Sequence, residues 1–379
     1  MPVQKVTIEQ FLDLAKTYPV LDVRSPGEFL HAHIPGANNL PLFTDEERKV
    51  VGTAYKQQSR EIAIKIGLDY FGVKMRRMVE EAEQLCKTIG EKTKSKETDH
   101  ESTKTKNTLL VHCWRGGMRS AGVAWLLDLY GFKVYTLNGG YKMYRKWARE
   151  QFIKSYSLNV VGGYTGSGKT LVLKELKRIG KAVIDLEGLA NHKGSAFGAL
   201  GEESQPTQEM FENLLAKELN AVNDQYPGTV LSNNAAVSSL NNFIYIEDES
   251  QRIGLLNIPA GLWDQMRKSP ISFFDIPFEE RLNYLTEAYG KFEKEKLVNA
   301  IIRIQKRLGG LETKNAINHL LENNYKECFR ILLMYYDKWY NKSLHNRERL
   351  PAMLHKISCN AVDIREMTYT LTNEKATTS

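Results

Sequence analysis

The segment from Gly163 to Thr170 constrains the fold of this chain more than any other. Its sequence GYTGSGKT matches the phosphate-binding P-loop pattern G-x-x-x-x-G-K-[S/T] in full. The apolar run LNVVG precedes it and the helical pattern LVLKELKRIG follows it, as the motif requires. We predict that Lys169 neutralises a bound di- or triphosphate and that Thr170 binds Mg²⁺. The predicted phosphate-binding residues are Gly163, Gly166, Ser167, Gly168, Lys169 and Thr170.

Acidic residues end the strands predicted after the P-loop. AVIDLEG ends as a strand at Asp185, and NFIYIEDES ends at Glu247, Asp248 and Glu249. Because acids at strand tips beside a P-loop commonly hold a metal-bound water, we predict Asp248 as a second Mg²⁺ ligand. An ordinary exposed strand end is the alternative. The sequence offers no clear water-positioning glutamine and no assured arginine finger, so it indicates phosphate binding more firmly than hydrolysis.

A second anion-binding pattern surrounds Cys113. The buried strand TLLVHC ends on this residue, and a Gly-Gly turn and the helix SAGVAWLLDLYG follow. Backbone N–H groups in such a loop form a nest for an anion, and the helix N-terminus adds its positive dipole end. Arg115 and Arg119 add full charges, so we predict a depressed pKa for Cys113 and a catalytic site of Cys113, Arg115 and Arg119. The alternative is a buried, inert cysteine.

Alternating strands and helices predict an α/β fold of more than one domain. A chain of 379 residues is too long for one average domain. The strand–loop–helix–strand order around Cys113 indicates a parallel sheet. The segment EKTKSKETDHESTKTKN has no aliphatic or aromatic residue to bury, which predicts a mobile insertion. The predicted organisation is a parallel-sheet domain over 1–150 with that insertion near 91–107, a P-loop α/β domain over 151–278, a mainly helical region over 279–371, and a disordered tail over 372–379.

Composition sets limits on partners and compartment. The formal net charge is +7, which permits nucleic-acid binding without demanding it. No run of about 18 uncharged apolar residues occurs, so we expect no membrane span. The four cysteines form no C-x-x-C pair, which argues against structural zinc and against a disulfide framework. A reducing cytoplasm fits best.

Two basic stretches are candidates for RNA contact. Lys142, Arg145 and Lys146 share one helical stripe, and Arg303, Lys306 and Arg307 lie together on a second predicted helix. Each stripe could contact RNA phosphates, and a solvated charged face is the alternative for each.

The N-terminal part resembles rhodanese domains through three motifs in the right order. These motifs are LDVRSPGEFLHAHIPGANNLPL, VHCWRGGMRS and YTLNGGYKMYRKW. The resemblance implies that Cys113 carries a persulfide or a related chalcogen and that Asp22 and Arg24 hold the loops beneath it. Sulfurtransferase rhodaneses place four residues between the cysteine and the arginine, whereas residues 114–118 number five here. The longer loop predicts a wider anion cradle, and His-Cys-x5-Arg-Ser also satisfies a protein phosphatase pattern.

The whole chain to about residue 345 resembles the tRNA 2-selenouridine synthases. The strings HCWRGGMRS, GGYTGSGKT, IDLEGLANHKGSAFG, EDESQRIG and QKRLGG carry this resemblance. It implies tRNA as partner and conversion of wobble 2-thiouridine to 2-selenouridine. The sulfur is first alkylated by geranyl diphosphate, and selenium from selenophosphate then replaces the geranylthio group. The resemblance also allows an enzyme that supplies selenophosphate to be a partner.

The resemblance also implies roles for the two sites. Cys113 would take selenium from selenophosphate and release phosphate, which leaves an S-selanylcysteine, while Arg115 and Arg119 hold the departing phosphate. Mg²⁺ and the P-loop would bind the diphosphate of geranyl diphosphate.

Three other functions remain open at this point. The first is a cysteine-dependent phosphatase or a phosphatase–kinase fusion that uses the His-Cys-x5-Arg-Ser loop, although we identify no general acid for it. The second is a non-catalytic RNA-binding module, which the intact Cys113 disfavours. The third is a plain thiosulfate sulfurtransferase, which the loop length and the second domain disfavour.

Overall fold

A computed structural model describes residues 3–94, 107–230 and 243–373 of the chain. Internal contacts divide the chain into two compact units, Met1–Glu150 and Gln151–Ser379. Most of the predicted insertion near 91–107 lies outside the described residues.

The first unit contains a parallel sheet whose strand order is β1-β5-β4-β2-β3 among the described residues. The chain forms β1 (Gln4–Val6), α1 (Ile8–Leu14), β2 (Val20–Asp22), α2 (Pro26–His31), β3 (Asn38–Asn39), α3 (Asp45–Gln57), α4 (Arg60–Gly72), α5 (Met75–Lys94), β4 (Thr108–His112), α6 (Met118–Tyr130), β5 (Lys133–Leu137) and α7 (Gly140–Gln151).

The central strand β4 brings Cys113 to the carboxyl edge of this sheet. All residues of β4 are buried, because the strand pairs with β2 on one side and β5 on the other. Leu109 and Val111 belong to a hydrophobic core that also includes Leu127 of α6. The apolar residues of the strand therefore hold it in the sheet interior, and the chain turns sharply after Cys113 to enter α6.

The second unit contains a parallel sheet of order β12-β11-β6-β8-β7 among the described residues. Its elements are β6 (Leu158–Gly163), α8 (Lys169–Arg178), β7 (Val183–Ile184), α9 (Leu186–Ala190), α10 (Gln208–Gln225), β8 (Ile244–Glu247), β9 (Arg252–Ile253), β10 (Leu256–Asn257), α11 (Ala260–Lys268), β11 (Ile271–Asp275), α12 (Phe278–Tyr289), α13 (Lys294–Leu308), α14 (Gly310–Leu321), α15 (Tyr325–His345), α16 (Leu350–Met353), β12 (Leu354–Ser358) and α17 (Ile364–Asn373).

Strand β6, which leads into the P-loop, lies in the middle of this sheet. The chain passes from β6 toward β7 on one side and later reaches β11 and β12 on the other side. Neighbouring strands whose connections leave in opposite directions open a crevice at their carboxyl ends, where α/β proteins bind ligands. The P-loop lies at such a switch point.

The C-terminal region returns to the sheet after its helices. Helices α12 to α15 follow the mainly helical prediction, and Leu297, Leu320 and Leu333 form part of their shared core. β12 then pairs in parallel with β11, and α17 packs near α8. The predicted tail 372–379 begins inside α17, and its remaining residues 374–379 lie outside the described part.

Within the described residues, no helix combines the length and the apolar character that a membrane crossing needs.

Candidate functional site

The sulfur of Cys113 lies at the start of the loop between β4 and α6, and the side chain is buried. Its Sγ lies 3.2 Å from Ser120 Oγ, and Ser120 Oγ also donates to the carbonyl of Gly117 at 3.1 Å. Burial raises the pKa of the Cys113 thiol, but the Ser120 side chain, the backbone N–H groups of Ser120 and Arg115, and the Arg119 charge outweigh burial. The net pKa is lowered, in the direction expected from the sequence.

The thiolate of Cys113 should therefore form at lower pH than an ordinary cysteine thiolate. Subtracting the ultraviolet titration of Cys113→Ser from that of the parent should give a midpoint below the ordinary cysteine value, because the thiolate is the form above the pKa. The same subtraction for Cys86→Ser is the matched control, since burial alone raises the pKa of Cys86 to about 11. A titration midpoint for Cys113 at or above the ordinary cysteine pKa would contradict stabilisation of the thiolate by the N–H groups of the loop.

Glu28 positions Arg119, a role that the sequence analysis missed. Arg119 Nη1 donates to Glu28 Oε2 at 2.8 Å, and Arg48 Nε lies 2.8 Å from the same oxygen. Burial raises the pKa of Glu28, but Arg119 and then Arg48 hold the net pKa below its ordinary value. The available signal was the helix-start pattern Ser25-x-x-Glu28, in which Glu28 accepts from the Ser25 N–H.

The loop is supported from beneath by the segment that follows β5. The N–H of Tyr141 donates to the carbonyl of Cys113 at 2.8 Å. Gly140 has a φ of +60°, and a Cβ built there would lie 2.3 Å from the Cys113 carbonyl oxygen. Gly116 has a φ of +64°, and a Cβ built there would lie 2.7 Å from the Leu137 carbonyl oxygen. Only glycine fits at these two positions, which explains the Gly-rich motifs on both sides of the contact.

Asp22 and Arg24 form a buried ion pair beside the cysteine loop. Arg24 Nη2 lies 2.6 Å from Asp22 Oδ2 and also donates to the carbonyl of Ala32 at 2.7 Å. Its guanidinium carbon lies 3.9 Å from the centroid of the Tyr141 ring. These contacts join the end of β2 to the end of α2 and the start of α7, in keeping with the structural role expected for both residues. Arg115, in contrast, is exposed.

The P-loop has the backbone that its glycines predict. The φ angles of Gly163, Gly166 and Gly168 are +151°, +82° and +74°. Ser167 is buried, and Lys169 Nζ donates to the carbonyl of Gly163 at 2.8 Å. α8 begins at Lys169, so its N-terminal N–H groups face the loop. The arrangement suits the phosphate binding expected from the sequence.

Glu187, and not Asp248, provides the carboxylate that contacts Thr170 of the P-loop. Thr170 Oγ1 donates to Glu187 Oε2 at 2.6 Å. Asp248 instead accepts from Tyr340 Oη at 2.6 Å and forms an ion pair with the buried Arg347. Glu247 accepts from the Leu186 N–H at 2.9 Å and Glu249 hydrogen-bonds to Glu187, so both carboxylates face α9, whereas Asp248 does not. The geometry moves the candidate Mg²⁺ carboxylate from Asp248 to Glu187.

The two carboxylates beside Thr170, those of Glu187 and Glu249, have raised pKa values. Burial, followed by repulsion from Glu187, raises the pKa of Glu249 well above its ordinary value. Burial also raises the pKa of Glu187, against opposing contributions from Thr170 and Lys169. Glu187 and Glu249 hydrogen-bond to each other. No group of three or more His, Cys, Asp or Glu side chains in the described part of the chain is arranged to hold a metal by itself.

Aromatic rings surround the P-loop. Tyr164 lies with its ring centroid 5.2 Å from that of Phe273 and 5.6 Å from that of Tyr340. Arg281 lies 4.9 Å from the Tyr164 centroid, donates to the Thr165 carbonyl and is paired with an acid of α15. The half-buried ring of Tyr164 therefore lies within the phosphate-binding loop and packs against the buried ring of Phe273.

The structure divides the predicted RNA-contact residues. Lys142 and Lys146 of α7 are exposed, but Arg145 is buried, so it cannot belong to an exposed stripe. The apolar stripe Tyr141, Tyr144 and Ala148 marks the buried face of α7, and Arg145 lies within it.

On α13, the residues Arg303, Lys306 and Arg307 are all exposed. The Arg307 guanidinium lies 5.7 Å from the centroid of the Trp339 ring, and Lys342 Nζ lies 5.3 Å from the same centroid. Trp339 is 40% exposed. This surface, called here the α13–α15 basic surface, joins cations to an aromatic face, a combination common in RNA recognition.

Comparison with known proteins gives two family matches. A model of the tRNA 2-selenouridine synthase AAA domain matches residues 156–362, and a model of the rhodanese-like domain matches residues 7–146. The predicted fold class, a rhodanese-like parallel-sheet domain followed by a P-loop α/β domain with a largely helical C-terminal portion, is confirmed.

Similar proteins match most of the chain. The tRNA 2-selenouridine synthase of Sulfurovum sp. (strain NBC37-1) is 32% identical over 357 residues, covering 85% of this chain and 88% of that protein. Those of Bdellovibrio bacteriovorus and Hydrogenovibrio crunogenus are 33% and 31% identical, covering 92% and 88% of this chain and 94% and 91% of the respective relatives. The similarity therefore extends across both anion-binding sites.

Proposed function

Because this chain belongs to the tRNA 2-selenouridine synthase family, we propose that it converts the wobble 2-thiouridine of tRNA to 2-selenouridine in the cytoplasm. The observation that carries this proposal is the presence of two anion sites of different chemistry in one chain. One is a backbone cradle for a diphosphate at Gly163–Thr170, and the other is a thiolate nest at Cys113.

The P-loop suits geranyl diphosphate as its ligand. Its N–H groups and Lys169 bind the diphosphate, while the half-buried ring of Tyr164, backed by the buried ring of Phe273, offers an apolar contact for the prenyl chain. The thiocarbonyl sulfur of the base attacks the allylic carbon, the carbon–oxygen bond breaks, and diphosphate leaves with the electron pair. A thiol leaves C2 more readily than bare sulfide does, so alkylation prepares C2 for selenium.

Mg²⁺ fits the residues beside this cradle. The Thr170 hydroxyl and the Glu187 carboxylate are hard oxygen donors, and Mg²⁺ commonly uses one or two protein oxygens together with phosphates and waters. Bound there, Mg²⁺ would neutralise charge on the departing diphosphate. The role of the protein residues is to present these oxygens and to hold the diphosphate in place.

The cysteine loop suits selenophosphate. Its N–H groups and arginines match a tetrahedral anion, and the five residues between Cys113 and Arg119 widen the loop. Selenium attacks C2 of the alkylated base, the C2–sulfur bond breaks, and geranylthiolate leaves and takes a proton. An enzyme that makes selenophosphate must supply this donor.

The test is mass spectrometry of wobble nucleosides from cells with and without this gene. 2-Selenouridine should be present only with the gene, and S-geranyl-2-thiouridine should accumulate when selenophosphate is withheld. Unchanged selenouridine in cells that lack the gene, with no other synthase present, would exclude the proposal.

The α13–α15 basic surface should contribute to tRNA affinity. Replacing Arg303, Lys306 and Arg307 together by glutamate should weaken tRNA binding by about tenfold or more, and should lower the salt slope by about one for each phosphate that the protein no longer neutralises. Filter binding at several salt concentrations measures both. Lys296→Glu is the matched control, since Lys296 is exposed on the same helix and pairs with Glu293 at 3.0 Å. An equal reduction of affinity for each reversed charge in the two variants would mean that the effect is only one of net charge.

A further inference from the structure

Electron balance limits what Cys113 can do with selenophosphate. If its thiolate attacked selenium, the selenium–phosphorus bond would break with its electron pair on phosphorus, and phosphite would leave. Formation of S-selanylcysteine with release of phosphate, as the family resemblance implied, would need an oxidant to remove an electron pair. The proposed reaction includes no such oxidant. Attack on phosphorus, in contrast, leaves every oxidation state unchanged.

The geometry around Cys113 also favours phosphorus as the target. The Cys113 sulfur accepts hydrogen bonds from the backbone N–H groups of Arg115 and Ser120, which lie at opposite ends of the loop. Arg119 is held at the edge of the loop by Glu28 at 2.8 Å. A loop with N–H groups directed inward and a fixed guanidinium is suited to the equatorial oxygens of a phosphoryl group in transfer.

We propose that Cys113 is a phosphoryl acceptor that forms a phosphocysteine during selenium insertion, an inference that rests on the proposed function. After selenium has bonded to C2, the base carries a selenium–phosphoryl group. The Cys113 thiolate attacks phosphorus, a sulfur–phosphorus bond forms, and the phosphorus–selenium bond breaks with its electron pair on selenium. Water then attacks phosphorus, the sulfur–phosphorus bond breaks, and phosphate and the thiolate are released.

The leaving group explains why this loop works without a general acid. The selenium anion of the base is delocalised over C2 and the neighbouring ring nitrogen, so it is a weak base and leaves unprotonated. Glu28, the carboxylate beside Arg119, has a lowered pKa and accepts from Arg119, Arg48 and Ser25. It therefore stays ionised and positions Arg119 instead of donating a proton.

Ser120 is placed to assist the second half of the step. Its hydroxyl is within reach of both the Cys113 sulfur, at 3.2 Å, and the Gly117 carbonyl, at 3.1 Å. When water attacks the phosphocysteine, the departing thiolate gains the hydroxyl as a hydrogen-bond donor. Removing that donor should slow breakdown of the phosphocysteine more than its formation, since the charge on sulfur develops during breakdown.

The experiment supplies S-geranylated tRNA and selenophosphate labelled with radioactive phosphorus to the full chain, with acid quenching and peptide mapping. Ser120→Ala should hold at least about tenfold more label on the Cys113 peptide than the parent does. Cys113→Ser should hold none, and the control Cys86→Ser should match the parent. Two results would overturn the inference and leave the proposed function standing. One is selenium on Cys113 with phosphite in solution. The other is formation of selenouridine by Ser120→Ala without any radioactive phosphorus on its Cys113 peptide.

If no selenouridine forms, that result counts against the proposed function itself. A second assay then tests whether Cys113 is a phosphoryl acceptor. The parent should hydrolyse para-nitrophenyl phosphate, whose leaving group is also a weak base, and orthovanadate should inhibit it. Cys113→Ser should lose this activity, whereas Cys86→Ser should retain it. The absence of Cys113-dependent hydrolysis would overturn the phosphoryl-acceptor role.

Discussion

Lys169→Ala should lower the rate of tRNA geranylation by about 10²- to 10³-fold, because it removes the one full positive charge of the P-loop motif from the departing diphosphate. Substrate tRNA already thiolated at the wobble position, geranyl diphosphate and Mg²⁺ are incubated with each variant, and the geranylated nucleoside is measured by mass spectrometry. When S-geranylated tRNA is supplied instead, selenium insertion should proceed at the parental rate, since that step uses the Cys113 loop.

Lys174→Ala is the matched control for this variant. Lys174 lies on the same helix, α8, but is exposed and outside the motif. It should geranylate like the parent. If Lys169→Ala geranylated thiolated tRNA as fast as Lys174→Ala, the assignment of geranyl diphosphate to the P-loop would be wrong.

Cys113→Ser should lower selenouridine formation by about 10⁴-fold or more, while geranylation continues at the parental rate. A serine hydroxyl is a far weaker nucleophile than a thiolate whose pKa the loop has lowered. The variant should therefore accumulate tRNA whose wobble base carries the selenium–phosphoryl group, detected by the same mass spectrometry.

Cys86→Ser separates this effect from a general loss of thiols. Cys86 lies on α5, half-buried, and its raised pKa keeps it protonated at neutral pH. It should make selenouridine like the parent. Parental selenouridine formation by Cys113→Ser would remove Cys113 from the reaction altogether.

Short motifs with a local physical cause could be predicted from the sequence. The P-loop and the cysteine loop each depend on one strand, one turn with positive φ and one helix start, and all of these lie within about ten to fifteen consecutive residues. The lowered pKa of Cys113 could also be predicted in direction, because the Ser120 hydroxyl, the backbone N–H groups and Arg119 that cause it lie in the loop and in the helix start that directly follows.

Contacts between distant segments could not be predicted in this way. Glu28 reaches Arg119 from another part of the chain, and the pattern Ser25-x-x-Glu28 indicates a helix start but not its pairing with Arg119. Asp248 contacts Tyr340 and Arg347, whereas Glu187 contacts Thr170, and the spacing of the acidic strand end does not indicate these distant partners. Arg145 matched a charged helical stripe, although the apolar residues beside it already marked the buried face.

The pairing of β12 with β11 has a consequence for biosynthesis. The edge strand of the P-loop sheet comes from Leu354–Ser358, and Val362 and Ile364 lie within reach of a side chain placed at Gly168. On the ribosome, the rhodanese-like unit can fold once residue 150 has emerged, whereas the P-loop site must wait for residues that are translated much later. A premature stop before residue 354 would leave the complete P-loop motif in a sheet that lacks its edge strand. Such a product should aggregate readily and be degraded by proteases.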